Sequence, residues 1–186
     1  MNYALPKSLE VGGVEYEIRT DYRVILDAIS ALNDPDLYPI EKAEACVRII
    51  FPDWDKIQDH GEAYEKAMWF IACGETDNSG KKKPKVMDWE QDFGLIISPV
   101  NRILGYDCRG VEYLHWWSFI AAYYEIGECA FSCVTGIRQK LAKGKPLDKW
   151  EKAYYAEHTD LIKLKTRVST DEQAMIDDIL GGEDFG

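Results

Sequence analysis

The sequence predicts a mainly α protein: a compact bundle of about six helices with a short N-terminal β-hairpin. Three observations predict it. Apolar residues recur at three- and four-residue spacing through most of the chain, and only one short stretch alternates. Pro- and Gly-containing breakers separate the periodic stretches. The 186 residues are 46% hydrophobic and 12% aromatic, enough to close one core and unlike a disordered chain.

The alternating stretch comes first. Leu9 and Val11, then Val14, Tyr16 and Ile18, flank Gly12-Gly13, which supplies the positive φ of a two-residue hairpin turn, giving a hairpin over 9–19. Thr20 or Asp21 then caps a helix to about Leu32, with Ile25, Ala28, Ile29 and Leu32 on one face. Asn33-Asp34-Pro35-Asp36 breaks it, and a second helix near Ile40–Ile50 ends before Pro52. A third runs from about Glu62 to Cys73, with Gly74 as its C′ residue. Residues 75–85 (ETDNSGKKKPK) are polar, hold Gly and Pro and lack an apolar residue, which reads as a flexible, solvated loop.

Asp88 reads as the N-cap of a fourth helix carrying Trp89, Phe93, Ile96, Ile97, Val100 and Leu104. Pro99 lies inside that pattern and should kink it or cut it in two, and Gly105 should end it. A fifth helix begins near Val111. It is apolar around nearly its whole circumference from Tyr113 to Tyr124, as expected of a central element. A sixth begins at Asp148, with Trp150, Tyr154, Leu161 and Leu164 in step. Residues 1–167 thus form one helical domain, and 168–186 an acidic, mobile tail with one apolar motif, Met175, Ile176, Ile179 and Leu180.

The formal charge is −11, and −6 of it falls in residues 171–186, which hold no Lys or Arg. That balance disfavours nucleic acid and anionic membranes as partners, since both are polyanions. Five scattered cysteines with no CxxC pair argue against a disulfide framework and for a reducing compartment. The most apolar stretch, Leu114–Ile137, carries Glu125 and Glu128 near its middle, so it reads as buried helix in a cytoplasmic protein and not as a membrane span.

Every catalytic candidate has a better structural reading. His60, His115 and His158 form no HExxH or HxH pair and sit at no zinc spacing from Cys. His115 as a general base lacks an identifiable partner carboxylate, and a hydrogen-bonded structural role fits it better. Cys129 and Cys133 share a helix face but supply only two ligands of a tetrahedral site. Gly12-Gly13 lies between strands, so it makes no phosphate cradle. Asp177-Asp178 falls in the tail, where nothing fixes acid–base geometry. Trp116-Trp117 must face two directions on a helix. Both pack in the core, or one serves as an interface residue. The expectation is a protein without catalytic, cofactor or metal site residues.

The ordered motifs resemble a known family. They are Tyr16-Glu17-Ile18-Arg19-Thr20-Asp21-Tyr22-Arg23 after the hairpin, Phe51-Pro52, Trp69–Gly74 before the lysine-rich loop, Asp88–Phe93, and Leu114-His115-Trp116-Trp117-Ser118-Phe119. Together they resemble the bacteriophage gene-product-fifteen family of phages and prophages of Gram-positive bacteria, over roughly residues 3–165. The HWW-x-F segment is the most specific part. Pro99 departs from the uninterrupted helix of the family pattern, and the tail after Arg167 lies outside it. The resemblance implies a tail-morphogenesis protein encoded near the tape-measure protein, with no catalytic residues to carry over. A tail assembly chaperone that binds the tape-measure protein in the host cytoplasm is the function so implied. The alternative is a structural virion component such as a tail-completion or connector protein, and an enzyme built on His115 is a third reading.

Overall fold

The computed structural model describes residues 4–75 and 84–181, with side chains as far as Met175. The fold is mainly α. A two-stranded antiparallel hairpin, β1 (Ser8–Val11) and β2 (Val14–Glu17), precedes α1 (Tyr22–Leu32), α2 (Pro39–Ile50), a 3₁₀ turn (Trp54–Lys56), α3 (His60–Ile71) and α4 (Trp89–Leu104). After these come α5 (Trp116–Tyr124), α6 (Ala130–Ala142), α7 (Lys149–Glu157), α8 (Thr159–Ile162) and α9 (Thr170–Gly181). Among the described residues no helix is long and apolar enough to cross a membrane. The loop expected over 75–85 falls almost wholly outside the described residues.

The hairpin forms as its alternation dictates. Val11 pairs with Val14 across Gly12 (φ 59°) and Gly13 (φ 78°), both in the left-handed region that a two-residue turn requires. Leu9, Val11 and Ile18 are buried and close one end of the core. The first helix starts at Asp21, whose Oδ1 accepts the Arg23 N–H at 3.0 Å while Oδ2 accepts the Leu114 N–H at 3.0 Å. Residues 21 and 115 form an isolated antiparallel bridge, in which Trp116 N–H donates to Thr20 O at 2.7 Å and Tyr22 N–H to Leu114 O at 2.9 Å. The N-termini of α1 and α5 are therefore locked together, and Tyr22 stacks on Phe119 just inside (centroids 4.6 Å apart, planes 8°).

Several expectations need correction. The single helix expected from Val111 onward is two, because the chain turns over Glu125–Cys129. There Arg102 donates to Ile126 O at 2.7 Å, and the Ser132 hydroxyl accepts the Cys129 N–H at 2.9 Å to start α6. Glu125 and Glu128 are exposed on that turn, which explains carboxylates inside an apolar stretch. The helix expected from Asp148 likewise breaks at His158 (φ −121°, ψ 37°), separating α7 from the one-turn α8. Part of the acidic tail is the ninth helix, α9. Pro99 does not cut α4 in two; the helix continues through it to Leu104, and the missing N–H leaves the Leu95 carbonyl without its i+4 donor. At the end of α3, Cys73 and not Gly74 takes the C′ position. Cys73 has φ 55°, its N–H donates to Phe70 O, and the Gly74 N–H reaches Trp69 O at 2.9 Å, a Schellman closure. Gly74 is still required: a Cβ there would lie 3.3 Å from Trp69 and 3.4 Å from Trp117.

A main core of α1–α5 and the hairpin is joined to a smaller one of Val134, Ile137 and Ile162, with Leu95 of α4 packed against both. Across that junction lies a buried ion pair. Arg138 of α6 (5% exposed) grips Asp92 of α4 (0% exposed) through Nη1–Oδ2 at 2.6 Å and Nη2–Oδ1 at 2.9 Å. Its other three donors reach Ile162 O (2.6 Å), Leu161 O (2.8 Å) and Val86 O (3.1 Å), so all five guanidinium N–H groups are used. Asp92 Oδ2 also accepts the Asp88 N–H at 2.9 Å. Replacing one partner strands the other as an unpaired buried charge, so Arg138→Met is expected to cost about 3–5 kcal/mol in urea unfolding. The Asp92→Leu/Arg138→Met double variant is expected to recover part of that loss.

Candidate functional site

His115, the five cysteines and the tryptophan pair are buried or half-buried in the fold, whereas His60 is exposed and His158 is half-buried. His115 is 4% exposed and caps α5: Nδ1 accepts the Trp117 N–H at 3.0 Å, so Nε2 carries the proton and donates to Pro6 O at 2.9 Å. Both ring nitrogens are thereby engaged in structural contacts. His60 opens α3 and meets Trp54 edge-on at 6.2 Å, and His158 packs on Tyr154 at 4.4 Å between α7 and α8. Trp116 and Trp117 do face apart, yet both indole N–H groups return to the same place, donating to Ile71 O and Phe70 O at 2.9 Å each. They close off the C-terminal end of α3, where the Phe70 carbonyl also takes the Cys73 N–H. Sequence spacing alone did not reveal this shared job, because it depends on where α3 ends relative to α5.

All five cysteines are free thiols. Burial pushes Cys46 up to about 12 and Cys73 up to about 11, the charge of Glu75 adding to the second. Those two are held as thiols, the poorly nucleophilic form. Cys129 precedes α6 and Cys133 lies one turn into it, where Cys133 packs against the smaller core. Among the described residues no group of three or more His, Cys, Asp or Glu side chains could hold a metal ion. Asp177-Asp178 lies in α9 beyond the described side chains.

The feature with the shape of a binding site is a groove of about 600 Å³ between α1 and the N-terminal half of α4. Leu26 and Ile29 line one wall, Trp89 and Phe93 the other, all half-buried, with Tyr22 also lining it. The apolar spacing of both helices was legible in the sequence. The groove was not, because it exists only where α1 and α4 diverge after packing on α5. Its rim carries equal numbers of opposite charges: Arg23, Arg109 and Arg167 against Asp27, Asp88 and Glu90.

Asp88 organises one end. Its Oδ1 accepts the Glu90 and Gln91 N–H groups at 3.1 Å each and Arg167 Nη2 at 3.0 Å, while Oδ2 accepts Lys85 Nζ at 2.9 Å. Burial pushes this carboxyl up, but the Lys85 ammonium, the Gln91 N–H and the Arg167 guanidinium outweigh it and hold Asp88 well below the usual carboxylate range. Arg167 also pairs with Glu90 at 2.9 Å, and Gln91 holds Lys163 O (2.8 Å) and the Lys165 N–H (2.9 Å). The strap from Lys163 to Thr170 is thus drawn across the start of α4 and ends at Asp36, whose carboxylate takes the Thr170 N–H at 2.6 Å and hydroxyl at 2.7 Å.

One protein family, described as Bacteriophage Gp15 protein, matches residues 1–166. The chain belongs to that family. The match takes in the Arg138–Asp92 pair, the groove apart from Arg167, and the first half of the strap, and stops short of α9. No curated protein and no solved structure matches the chain. Membership in the Gp15 family points to a bacteriophage structural or morphogenesis protein.

A carboxylate whose pKa is depressed on folding stabilises the fold above its unfolded pKa, about 3.9 for Asp, and loses that contribution as the pH falls from there toward the folded value. Asp88→Asn keeps the cap but removes the charge and is expected to cost about 1.5–3 kcal/mol near neutral pH, as charge-assisted hydrogen bonds do. Urea unfolding across pH is expected to show the gap from wild type closing below about pH 3.9. His115→Ala removes the cap of α5 and is expected to cost about 0.5–2 kcal/mol by the same measurement.

Proposed function

We propose that this Gp15 protein is a non-enzymatic tail assembly chaperone, acting in the host cytoplasm, which binds an amphipathic helical segment of the tape-measure protein in the groove between α1 and α4. One observation carries this reading: a groove lined by the half-buried apolar residues Leu26, Ile29, Trp89 and Phe93 is bordered by side chains of both charges. Such a groove accepts one apolar helix face while its rim engages charges that flank that face. A chaperone for a long amphipathic helical partner has such faces to cover before assembly. Both His115 nitrogens have structural partners and burial holds Cys46 and Cys73 as thiols, which supports a binding role over catalysis.

The test co-expresses this chain with the tape-measure protein of the same phage and follows soluble yield and co-purification by light-scattering chromatography. A stoichiometric complex is expected, with the partner insoluble alone. Ile29→Glu, on the half-buried wall, is expected to abolish the complex, with a cooperative melting transition showing that the variant still folds. If no complex forms, and the protein is found in purified virions at fixed copy number, it is instead a structural component such as a tail-completion or connector protein.

A further inference from the structure

The charge of this protein is sorted along the chain. Residues 140–167 hold eight Lys or Arg against four Asp or Glu, whereas residues 171–184 hold six acidic residues and no basic one. Two of the four acids in the basic region are consumed internally: Asp148 caps α7 by accepting the Glu151 N–H at 2.8 Å, and Glu151, 9% exposed, pairs with Lys140. Lys143, Lys145, Lys149 and Lys152 are exposed and make no ion pair among the described residues. Beside them Trp150 is 59% exposed, stacked on Tyr154 at 5.2 Å, and Leu141 is 44% exposed. A large aromatic left in water among lysines fits a ligand that is both apolar and acidic.

The chain contains such a ligand. In α9 the sequence sets Met175, Ile176, Ile179 and Leu180 three and four apart among Asp171, Glu172, Asp177 and Asp178, and the described side chains from Thr170 to Met175 are all exposed. The groove between α1 and α4 is a poorer host for this helix, because its three arginines face three carboxylates. The surface at the start of α7 offers lysines without that opposition. Within one molecule α9 starts beside the turn between α1 and α2, where the Asp36 carboxylate takes Thr170. The strap leads from α8 past Gln91 and Asp88 to Asp36, up to about 23 Å of extended chain, and Thr170 is fastened there.

We propose that α9 of one copy docks on the Trp150 surface of a second copy, bounded by Lys143, Lys145 and Lys149. The contact is heterologous, so copies associate head to tail and form rings or open arrays according to the rotation between them. Ionic contacts between exposed groups are screened within about 10 Å at 0.1 M salt, so the association weakens as salt rises.

The experiment measures the mass of the full-length protein, without any tail partner, by light-scattering chromatography over a wide concentration range at low and high salt. The expected result is a mass that climbs with concentration and falls with salt. Lys145→Glu/Lys149→Glu and, separately, Asp177→Lys/Asp178→Lys are each expected to weaken association at least ~tenfold, at about 1.4 kcal/mol per tenfold. All four positions are on exposed lysines or on α9, and an unchanged circular dichroism melting curve shows that both variants fold. Mixing the two variants is expected to restore association, since each then meets a surface of opposite charge. A monomer at every concentration in low salt, an association that ignores both charge reversals, or a mixture that fails to associate would each overturn the proposal. None of these outcomes bears on binding of the tape-measure protein, which uses the other groove and is read with that partner present.

Discussion

Arg138 and Asp92 are the contact on which the arrangement of the second half of the chain depends. A guanidinium taken out of water is costly unless every donor finds a partner, and here the five donors reach one carboxylate and three backbone carbonyls. Those partners belong to α4, to the segment before it, and to the end of α8. One side chain on α6 thereby fixes where α8 lies and how the strap leaves it. The apolar contacts of Val134, Ile137 and Ile162 favour packing of some kind, but three aliphatic side chains do not choose one register among several. The fork geometry of the ion pair does. Displacing α6 by one turn would leave both charges buried and unpaired.

The first half is ordered by a different device, the reciprocal satisfaction of helix ends. Asp21 caps α1 and also holds the Leu114 N–H, while His115 caps α5 and holds the carbonyl of Pro6 ahead of the hairpin. The adjacent indoles of α5 then close carbonyls at the end of α3. Three helices are thus joined end to end by side chains of a single hexapeptide, Leu114–Phe119, with Phe119 stacking on Tyr22 beneath. An aromatic seam from Trp69 through Trp117 and Phe70 to His115 continues along the same junction. This is why so distinctive a motif has a structural reading: both ring nitrogens of His115 and both indole N–H groups are engaged with backbone groups.

These two devices leave the groove between them. α1 and α4 are both held against α5, and neither is pressed against the other along its full length, so Leu26, Ile29, Trp89 and Phe93 stay only half-buried. The strap crosses at the start of α4, where Asp88 combines the roles of helix cap and ionic partner for Lys85 and Arg167. A binding surface and the chain segment that leads to α9 therefore meet at one carboxylate. Whatever occupies the groove sits beside the residue that fastens the strap.

Local signals in the chain determined much of this protein. The Gly12-Gly13 hairpin, the caps at Asp21 and Asp88, the end of α4 at Gly105 and the apolar faces of α1, α2 and α4 all follow from spacing and turn chemistry, because those interactions close within a few residues. So did the Gp15 family, whose motifs lie in the order in which the elements use them. What the sequence could not show has a long-range cause in each case. The division of the apolar stretch at Glu125–Cys129 relies on Arg102, more than twenty positions away, and the break at His158 is set where α8 meets Arg138. Pro99 does not divide α4 because its ring is buried with Ile96, Ile97 and Val100 on the face that packs on the core, and Cys73 accepts a left-handed backbone where a Cβ on Gly74 would meet two indoles. The groove and the Arg138–Asp92 pair joined residues of no local distinction. Periodicity reports which side of an element is apolar; only packing decides which of those sides meet, and which one is left open.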